Sequence, residues 1–501
     1  MTGANTGAPA YISMCFDACT VCDPLGTVDT MAVASALNCT LIATEDGNVC
    51  AFGVNNHGCL GLGNNEATVG PVLLKHEDVF GGHKVVMVAA GMFASGCVTS
   101  DGSLWSWGDN SCHRLGMAHE APAPPAHGQS IYCRPRRLCQ STHGNSPVTM
   151  VAFAACSTYI LTAAGDIWSF CPRAPVPLLI DRVHFQGAAI GMIAVGLRHI
   201  LALSRTGGLV WEWACDEGPE TYAGAILTPT LVTQTFGGSE VVFISGGHDF
   251  SMAVTADGVL WACGTNTCGE CGLDDYQGDD RVPCVFVRVG GAEYFGTGGV
   301  HAVSCGSIHT LILAKNHSVW SCGTNEMGVL GIALVWDAAE EVQQRSKRPR
   351  IVPIEFPDKP ELSDDNDVVL VCAGTHSSFV VTSAGLVFFW GRHQNWEQGQ
   401  HTFLPHQLPD WVMGNAGDTS DDCRAGRWHV CNRDRTMAFM QGVFICASRK
   451  TNDTTALPSK RVPAGMTGLP QDVLCDLFEN MRLVPGEATS RGVRRLMGFE
   501  L

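Results

Sequence analysis

The chain has 501 residues, a formal net charge of −17 and only 16% charged residues. This acidic balance disfavours non-specific binding to DNA or to anionic membranes. The N-terminal residues lack the basic start and apolar run of a signal peptide, and no stretch has the length and hydropathy of a membrane span. We therefore expect a protein of the cytoplasm, the nucleus or both, whose 24 cysteines are reduced and mostly buried.

One short pattern recurs along the chain: an apolar strand, a turn glycine, a strand with large side chains, then Gly-x-Asn and Leu-Gly. Clear copies are residues 46–55, 101–110 and 257–266. The turn residues are Gly47, Gly102, Gly165, Gly208, Gly258, His317 and Gly385. They lie roughly 40 to 70 residues apart, a period typical of propellers and solenoids.

Large side chains occupy two fixed positions after each turn residue. Three residues after it stand Cys50, Trp105, Trp168, Trp211, Trp261, Trp320 and Phe388; five residues after it stand Phe52, Trp107, Phe170, Trp213, Cys263, Cys322 and Trp390. A separation of two places both sets on one face of a strand, where we expect them to form the blade core. Asp-Gly and Ala-Gly dipeptides between two strands are strong hairpin signals.

A further apolar strand precedes each unit, for example residues 85–88 and 241–244. Each unit then has about four strands, which is one propeller blade. The pattern predicts an all-β fold, a seven-bladed β-propeller of four-stranded blades over residues 30–445. Residues 1–29 form an N-terminal segment that is a candidate to close the last blade. A weak eighth copy at 425–442 either completes the last blade or pairs with the N-terminal strand.

The last part of the chain, residues 446–501, is predicted to be a polar linker and an amphipathic helical tail. Apolar residues at helical spacing follow Pro470 within residues 469–481, which favours a helix with one apolar stripe. We expect this helix to dock on the propeller rim. Its opening also resembles the first helix of an F-box, which would recruit a ubiquitin ligase.

The repeat resembles that of the regulator of chromosome condensation family, a seven-bladed propeller. The best matches to the first half of the family repeat are residues 195–203 and 306–313, and those to the second half are 53–61 and 323–331. The third and fourth units lack the Gly-x-Asn and Leu-Gly half. Photoreceptor members of the family carry Gly-Trp-Arg-His-Thr, whereas this chain has Leu197 in place of that tryptophan, so we expect no photoreception.

The resemblance implies a monomeric scaffold that binds protein partners and needs no cofactor. Its narrower implication is guanine-nucleotide exchange on a Ran-like small GTPase, with Asp109 as the weak candidate for contact with the GTPase. The founding members use a protruding wedge, and the matching residues 108–116 show no wedge sequence. Two alternatives are a substrate-binding module that joins a ubiquitin ligase subunit, and a chromatin-associated adaptor, although direct binding to nucleic acid is not expected.

Other candidate sites each have a plain structural interpretation. His199 and His309 occupy the family's histidine position, and we expect each to cap strand and turn groups within its own blade. Cys268 and Cys271 have zinc-like spacing with Cys263 nearby, as do Cys15, Cys19 and Cys22, but neither set has a second ligand pair, so we predict no metal. The basic runs 134–137 and 345–350 are expected in solvated inter-blade insertions, with nuclear import or phosphate contact as the alternative roles.

Overall fold

The computed structural model describes residues 19–21, 32–36, 39–66, 71–110, 113–117, 131–171, 174–197, 199–214, 228–273, 285–325, 327–332, 351–354, 367–383, 385–392 and 401–407. The chain divides into two compact units, Met1–Ala416 and Gly417–Leu501. The predicted eighth copy and the predicted tail helix lie outside the described residues. Among the residues described, none of the helices has the length and apolar character that crossing a membrane requires.

Seven antiparallel sheets follow one another along the described part of the chain, which confirms the seven-bladed propeller. Blade 1 contains β1 (Cys19–Val21), β2 (Val33–Ser35), β3 (Cys39–Ala43), β4 (Val49–Gly53) and β5 (Val72–Leu74). Blade 2 contains β6 (Val85–Ala90), β7 (Ala94–Thr99), β8 (Leu104–Asp109) and β9 (Ile131–Arg137). Blade 3 contains β10 (Val148–Phe153), β11 (Thr158–Thr162), β12 (Ile167–Cys171) and β13 (Ala174–Ile180), and blade 4 contains β14 (Ile190–Val195), β15 (His199–Ser204), β16 (Val210–Ala214) and β17 (Thr230–Leu231).

Blades 5 to 7 follow the same order. Blade 5 contains β18 (Val241–Gly246), β19 (Phe250–Thr255), β20 (Leu260–Gly264) and β21 (Val287–Gly290). Blade 6 contains β22 (Val300–Cys305), β23 (His309–Ala314), β24 (Val319–Gly323) and β25 (Val352–Pro353). Blade 7 contains β26 (Val368–Ala373), β27 (Ser377–Thr382), β28 (Val387–Arg392) and β29 (His401–Gln407). The last blade thus has four strands of its own, and the N-terminal strand β1 pairs with β2 in blade 1 instead of closing blade 7.

The core lies between blades. Apolar residues of each blade pack against those of the next one, and the strands of blade 1 pack in the same way against those of blade 7. At this last junction Phe52 and Ile42 meet Phe379 and Phe389. A polar bridge joins the same blades, because Ser377 Oγ lies 2.9 Å from Ser35 Oγ and Ser35 Oγ lies 3.0 Å from Thr40 Oγ1. The sheets therefore form a closed ring.

The turn residues join one blade to the next. Gly47, Gly102, Gly165, Gly208, Gly258 and Gly385 all have positive φ, as does His317 at 64°. The carbonyl oxygens of Gly47 and Gly258 accept the backbone N–H groups of Val85 and Val300 in the following blades, each at 2.9 Å. A Cβ atom on Gly258 would lie 2.1 Å from the carbonyl oxygen of Gly298. Glycine is required here both by backbone conformation and by the close neighbour.

The two aromatic positions differ in depth. Trp107, Trp211, Trp213 and Trp390 are buried, whereas Trp105, Trp168, Trp261 and Trp320 are half-buried. A shared strand face therefore does not give equal burial: several tryptophans of the first position lie further out along the blade, where a second aromatic ring covers them.

Those covering rings are phenylalanines in the short helical connections between blades. The connections are α1 (His76–Val79), α2 (Ala292–Phe295) and the 3-10 helices Gln140–His143, Arg182–Phe185 and Phe236–Gly238. Phe80, Phe185, Phe236 and Phe295 pack edge-to-face on Trp105, Trp211, Trp261 and Trp320, with ring centroids 5.5 to 5.8 Å apart. These phenylalanines were not predicted from the sequence, although each is followed directly by a glycine, or by Gln-Gly in the case of Phe185.

Candidate functional site

Strand connections alternate between the two ends of the ring, because neighbouring strands of a blade are antiparallel. One end, which we call the loop face, carries the β-turns between first and second strands and the loops after the third strands. The opposite end, the hairpin face, carries the glycine hairpins and the helical connections. The two faces expose different halves of the repeat to a partner.

The repeated asparagine organises the loop after the third strand. Its side-chain oxygen accepts the backbone N–H of the residue five positions later, as seen for Asn55, Asn110, Asn266 and Asn325 with Leu60, Leu115, Cys271 and Leu330 at 2.9 to 3.0 Å. This bond closes the first turn of the loop on itself, so this turn keeps a defined shape without a sheet partner.

Each of these loops also contacts the next blade. The indole N–H of Trp107 donates to the carbonyl oxygen of Cys59 in the blade 1 loop at 2.7 Å. In the same way Trp390 donates to Val329 in the blade 6 loop at 2.7 Å. The second aromatic position of the repeat therefore both fills the core and binds the loop of the preceding blade.

Loops from three blades meet at one place on the loop face. The ring of His57 in the blade 1 loop lies 4.5 Å from the ring of Phe93 in the first turn of blade 2. The guanidinium of Arg114 in the blade 2 loop lies 5.4 Å from the same phenylalanine ring. Its Nη1 donates to the carbonyl oxygen of Ala155 in the first turn of blade 3 at 2.8 Å.

Asp109 belongs to this group. It ends β8, is half-buried and donates its backbone N–H to the carbonyl oxygen of Phe93 at 2.7 Å. We call His57, Phe93, Asp109 and Arg114 the Phe93 cluster. Asp109 was the residue that the sequence singled out. Arg114 was missed, although an arginine directly before Leu-Gly is the unusual residue of that loop.

The Phe93 cluster combines exposed aromatic surface with buried charge. Phe93 and His57 are half-exposed, whereas Arg114 is 4% exposed. Its Nε has no hydrogen-bond partner among the described residues. Aromatic and arginine side chains of this kind are enriched at the centres of protein interfaces. The arrangement suits recognition of a partner surface.

The two repeat histidines are not positioned for acid–base chemistry. His199 Nε2 lies 2.6 Å from Ser251 Oγ in the next blade, and His309 Nε2 lies 2.8 Å from Ser378 Oγ in the next blade. Burial lowers the pKa of His199 to about 4 and that of His309 to about 3. Both rings are therefore neutral near pH 7 and join neighbouring blades, which corrects the expectation that they act within their own blade.

The cysteine-rich loop of blade 5 is held by hydrogen bonds. Cys271 Sγ donates to the carbonyl oxygen of Thr265 at 3.1 Å, and the Cys268 N–H donates to Glu270 Oε2 at 2.6 Å. Burial raises the pKa of the Glu270 carboxyl group. Within the described ranges, no three His, Cys, Asp or Glu side chains are grouped to hold a metal ion.

Two family profiles match stretches of the repeat. The profile "Regulator of chromosome condensation (RCC1) repeat" matches residues 46–98, and a second profile of the same description matches 241–270 and 300–329. The chain is similar to the ultraviolet-B receptor UVR8 of Arabidopsis thaliana, with 26% identity over 72% of this chain and 76% of UVR8.

The chain is also similar to a second protein and to a solved structure. The human E3 ubiquitin-protein ligase HERC2 is 29% identical over 57% of this chain, but the match spans only 6% of HERC2. The crystal structure of Prp20p from Saccharomyces cerevisiae, described with its binding properties to Gsp1p and histones, superposes with a TM-score of 0.57. It is 18% identical and the match covers 78% of this chain and 90% of Prp20p, which supports the shared fold.

Proposed function

Because this chain is a seven-bladed propeller built from regulator of chromosome condensation repeats, we propose that it is a protein-binding scaffold whose loop face holds the partner at blades 1 to 3. The observation that carries this proposal is the Phe93 cluster. It joins loops of three blades around a half-exposed phenylalanine and a buried arginine. A partner that covers Phe93 would bury apolar surface above the buried Arg114 guanidinium.

The narrower proposal is guanine-nucleotide exchange on a Ran-like small GTPase. Prp20p, which shares the fold, is described with its binding to Gsp1p. Asp109 supports this proposal by its position, since it ends β8 at the loop face and its backbone N–H donates to the carbonyl oxygen of Phe93.

The experiment measures release of labelled GDP from a purified Ran-class GTPase with the full chain added. We expect the wild-type chain to accelerate release at least about tenfold, a change of about 1.4 kcal/mol in the barrier. Phe93→Ala and Asp109→Asn should remove most of the acceleration. Tyr294→Ala is the matched control, because this exposed tyrosine lies on the opposite face.

The outcomes separate the broad proposal from the narrow one. No acceleration by the wild-type chain would exclude exchange on that GTPase class. Capture of a partner that survives Phe93→Ala but is lost in Tyr294→Ala would contradict the loop face as the binding surface.

A second candidate function is a substrate-binding module of a ubiquitin ligase complex, which the similarity to HERC2 favours. This function would use the same Phe93 cluster for the substrate and residues 463–501 for the ligase. Capture of ligase subunits should then be lost when residues 463–501 are removed and kept in Phe93→Ala. Unchanged recovery after the truncation would exclude it.

A further inference from the structure

The N-terminal strand β1 adds a fifth strand to blade 1, and it does so on the inner side of the sheet. The sheet order is β1-β2-β3-β4-β5, so β1 lies beyond the first strand that the repeat itself supplies. Each of the other six sheets begins with the first strand of its own repeat, which is paired on one side only. Blade 1 therefore carries a strand where the other described blades have an unpaired inner edge.

This inner edge faces the axis of the ring. First strands of neighbouring blades approach within 8 Å between Cα atoms all around the ring, from β2 through β6, β10, β14, β18, β22 and β26 back to β2. The strand β1 comes within the same distance of β2, β6, β22 and β26, the first strands of blades 1, 2, 6 and 7. Because the blades diverge outward from the axis, a strand close to four first strands lies on their axial side.

The backbone groups of β2 alternate in direction. The N–H of Ala36, the residue after β2, donates to the carbonyl oxygen of Cys39 on the β3 side at 2.9 Å. Because the N–H and C=O groups of successive residues point to opposite sides of a strand, Val33 and Ser35 direct theirs away from β3 and toward the axis. Both residues are buried, so these backbone groups need hydrogen-bond partners on the axial side.

The strand β1 supplies these partners. It runs antiparallel to β2 in an unbroken register, with Cys19 opposite Ser35, Thr20 opposite Ala34 and Val21 opposite Val33. The backbone groups of Cys19 and Val21 therefore face β2, whereas those of Thr20 face away from it. We call the axial backbone groups of Val33 and Ser35 the axial edge.

Blades 6 and 7 satisfy the corresponding backbone group with a side chain. The N–H of Cys305 donates to Ser245 Oγ of the preceding blade at 3.0 Å, and the N–H of Ala373 donates to Ser304 Oγ of the preceding blade at 2.9 Å. The residue of blade 7 that corresponds to Ser304 is Cys372. A thiol is a weaker acceptor than a hydroxyl, so a strand is the stronger partner for blade 1 at this position.

We propose that the axial edge is a strand-docking site, which β1 occupies in cis as a strap across the closure of the ring. The strap reaches blades 7 and 1, which meet where the ring closes, and one further blade on each side of them. Backbone hydrogen bonds provide the affinity of a docked strand, so an extended segment supplied in trans competes for the same groups. The axial edge is separate from the Phe93 cluster, and this inference goes beyond the proposed function.

Two proline variants of the full chain test the strap. Val21→Pro removes an N–H that faces β2, whereas Thr20→Pro removes one that faces away and is the matched control. We expect Val21→Pro to speed hydrogen–deuterium exchange of the Val33 and Ser35 amides, and of the β27 amides in blade 7, at least about tenfold. Thr20→Pro should leave both near the wild-type rates, and slow exchange in β15 should show that both variants are folded. Equal exchange in the two variants, or no change in β27, would overturn the strap.

A labelled peptide of residues 15–25 tests the docking site by fluorescence anisotropy in reducing buffer. We expect it to bind the Val21→Pro chain at least about tenfold more tightly than the wild-type chain, whose axial edge holds a tethered strand. The same peptide carrying Val21→Pro should bind neither chain. Equal affinity for the two chains, or no binding to the Val21→Pro chain, would overturn the proposal. A wild-type dimer in analytical ultracentrifugation that the peptide dissociates would assign the strand to a second copy and overturn its occupancy in cis.

Discussion

Replacing Gly258 by alanine is expected to destabilise the propeller far more than replacing Gly82 by alanine. Both glycines have left-handed backbone conformations, with φ of 81° and 83°. Alanine therefore meets the same backbone cost of about 1 to 2 kcal/mol at either position. Only at Gly258 does the new Cβ meet a neighbour, the carbonyl oxygen of Gly298 at 2.1 Å, whereas nothing lies within 4 Å at Gly82.

The extra cost at Gly258 falls on the junction between blades 5 and 6. Relief of the overlap must move the hairpin away from the start of β22 and weaken the bond from the Val300 N–H to the Gly258 carbonyl oxygen, now 2.9 Å. Overpacking of this kind costs about 1 to 3 kcal/mol more. Denaturant midpoints of the two variants measure the difference. Equal losses of stability in the two variants would show that the Gly258 hairpin does not pack against the next blade.

Replacing Trp107 by phenylalanine is expected to cost about 1 to 3 kcal/mol more than the same change at Trp211. Both side chains are buried, at 0% and 1% exposure, so both variants lose similar apolar volume. The Trp107 indole N–H donates to the Cys59 carbonyl oxygen at 2.7 Å. The Trp211 indole N–H has no partner among the described residues. Only the first change leaves a buried carbonyl oxygen without its donor.

The free energies of unfolding of the two variants, taken from denaturant titrations followed by far-ultraviolet circular dichroism, test this difference. A loss for Trp107→Phe no larger than that for Trp211→Phe would contradict a contribution of the inter-blade hydrogen bond to stability. A larger loss would show that the second aromatic position of the repeat joins neighbouring blades as well as filling the core.

Much of the fold could be predicted from periodicity. Spacing by two residues in the strands and glycine in the hairpins are local rules, so the strands, the turn glycines and the blade number followed from them. Burial within a strand face was not predictable in the same way. Trp105 and Trp107 share a face, yet Trp107 is buried and Trp105 is half-buried. The ring that packs on Trp105 is Phe80, which lies in a connection outside the repeat.

Contacts between blades could not be predicted from the sequence. His199 meets Ser251, which is 52 residues later, and the alternation within β15 says nothing about which residue of the next blade lies opposite. The Phe93 cluster is of the same kind, since it depends on the packing of loops from three blades. The basic run 134–137 was expected in a solvated insertion but lies in β9, the outermost strand of blade 2, which tolerates Pro135.

The loop face and the axial edge both depend on a closed ring, and hydrogen–deuterium exchange of the full chain tests closure most directly. If blade 1 packs on blade 7 through Phe52, Phe379 and the Ser35–Ser377 bridge, the amides of β3 and β27 should exchange as slowly as those of β15 in the middle of the ring, within about tenfold. Exchange in β3 and β27 that is faster than in β15 by several orders of magnitude would show two free ends and contradict the closed propeller.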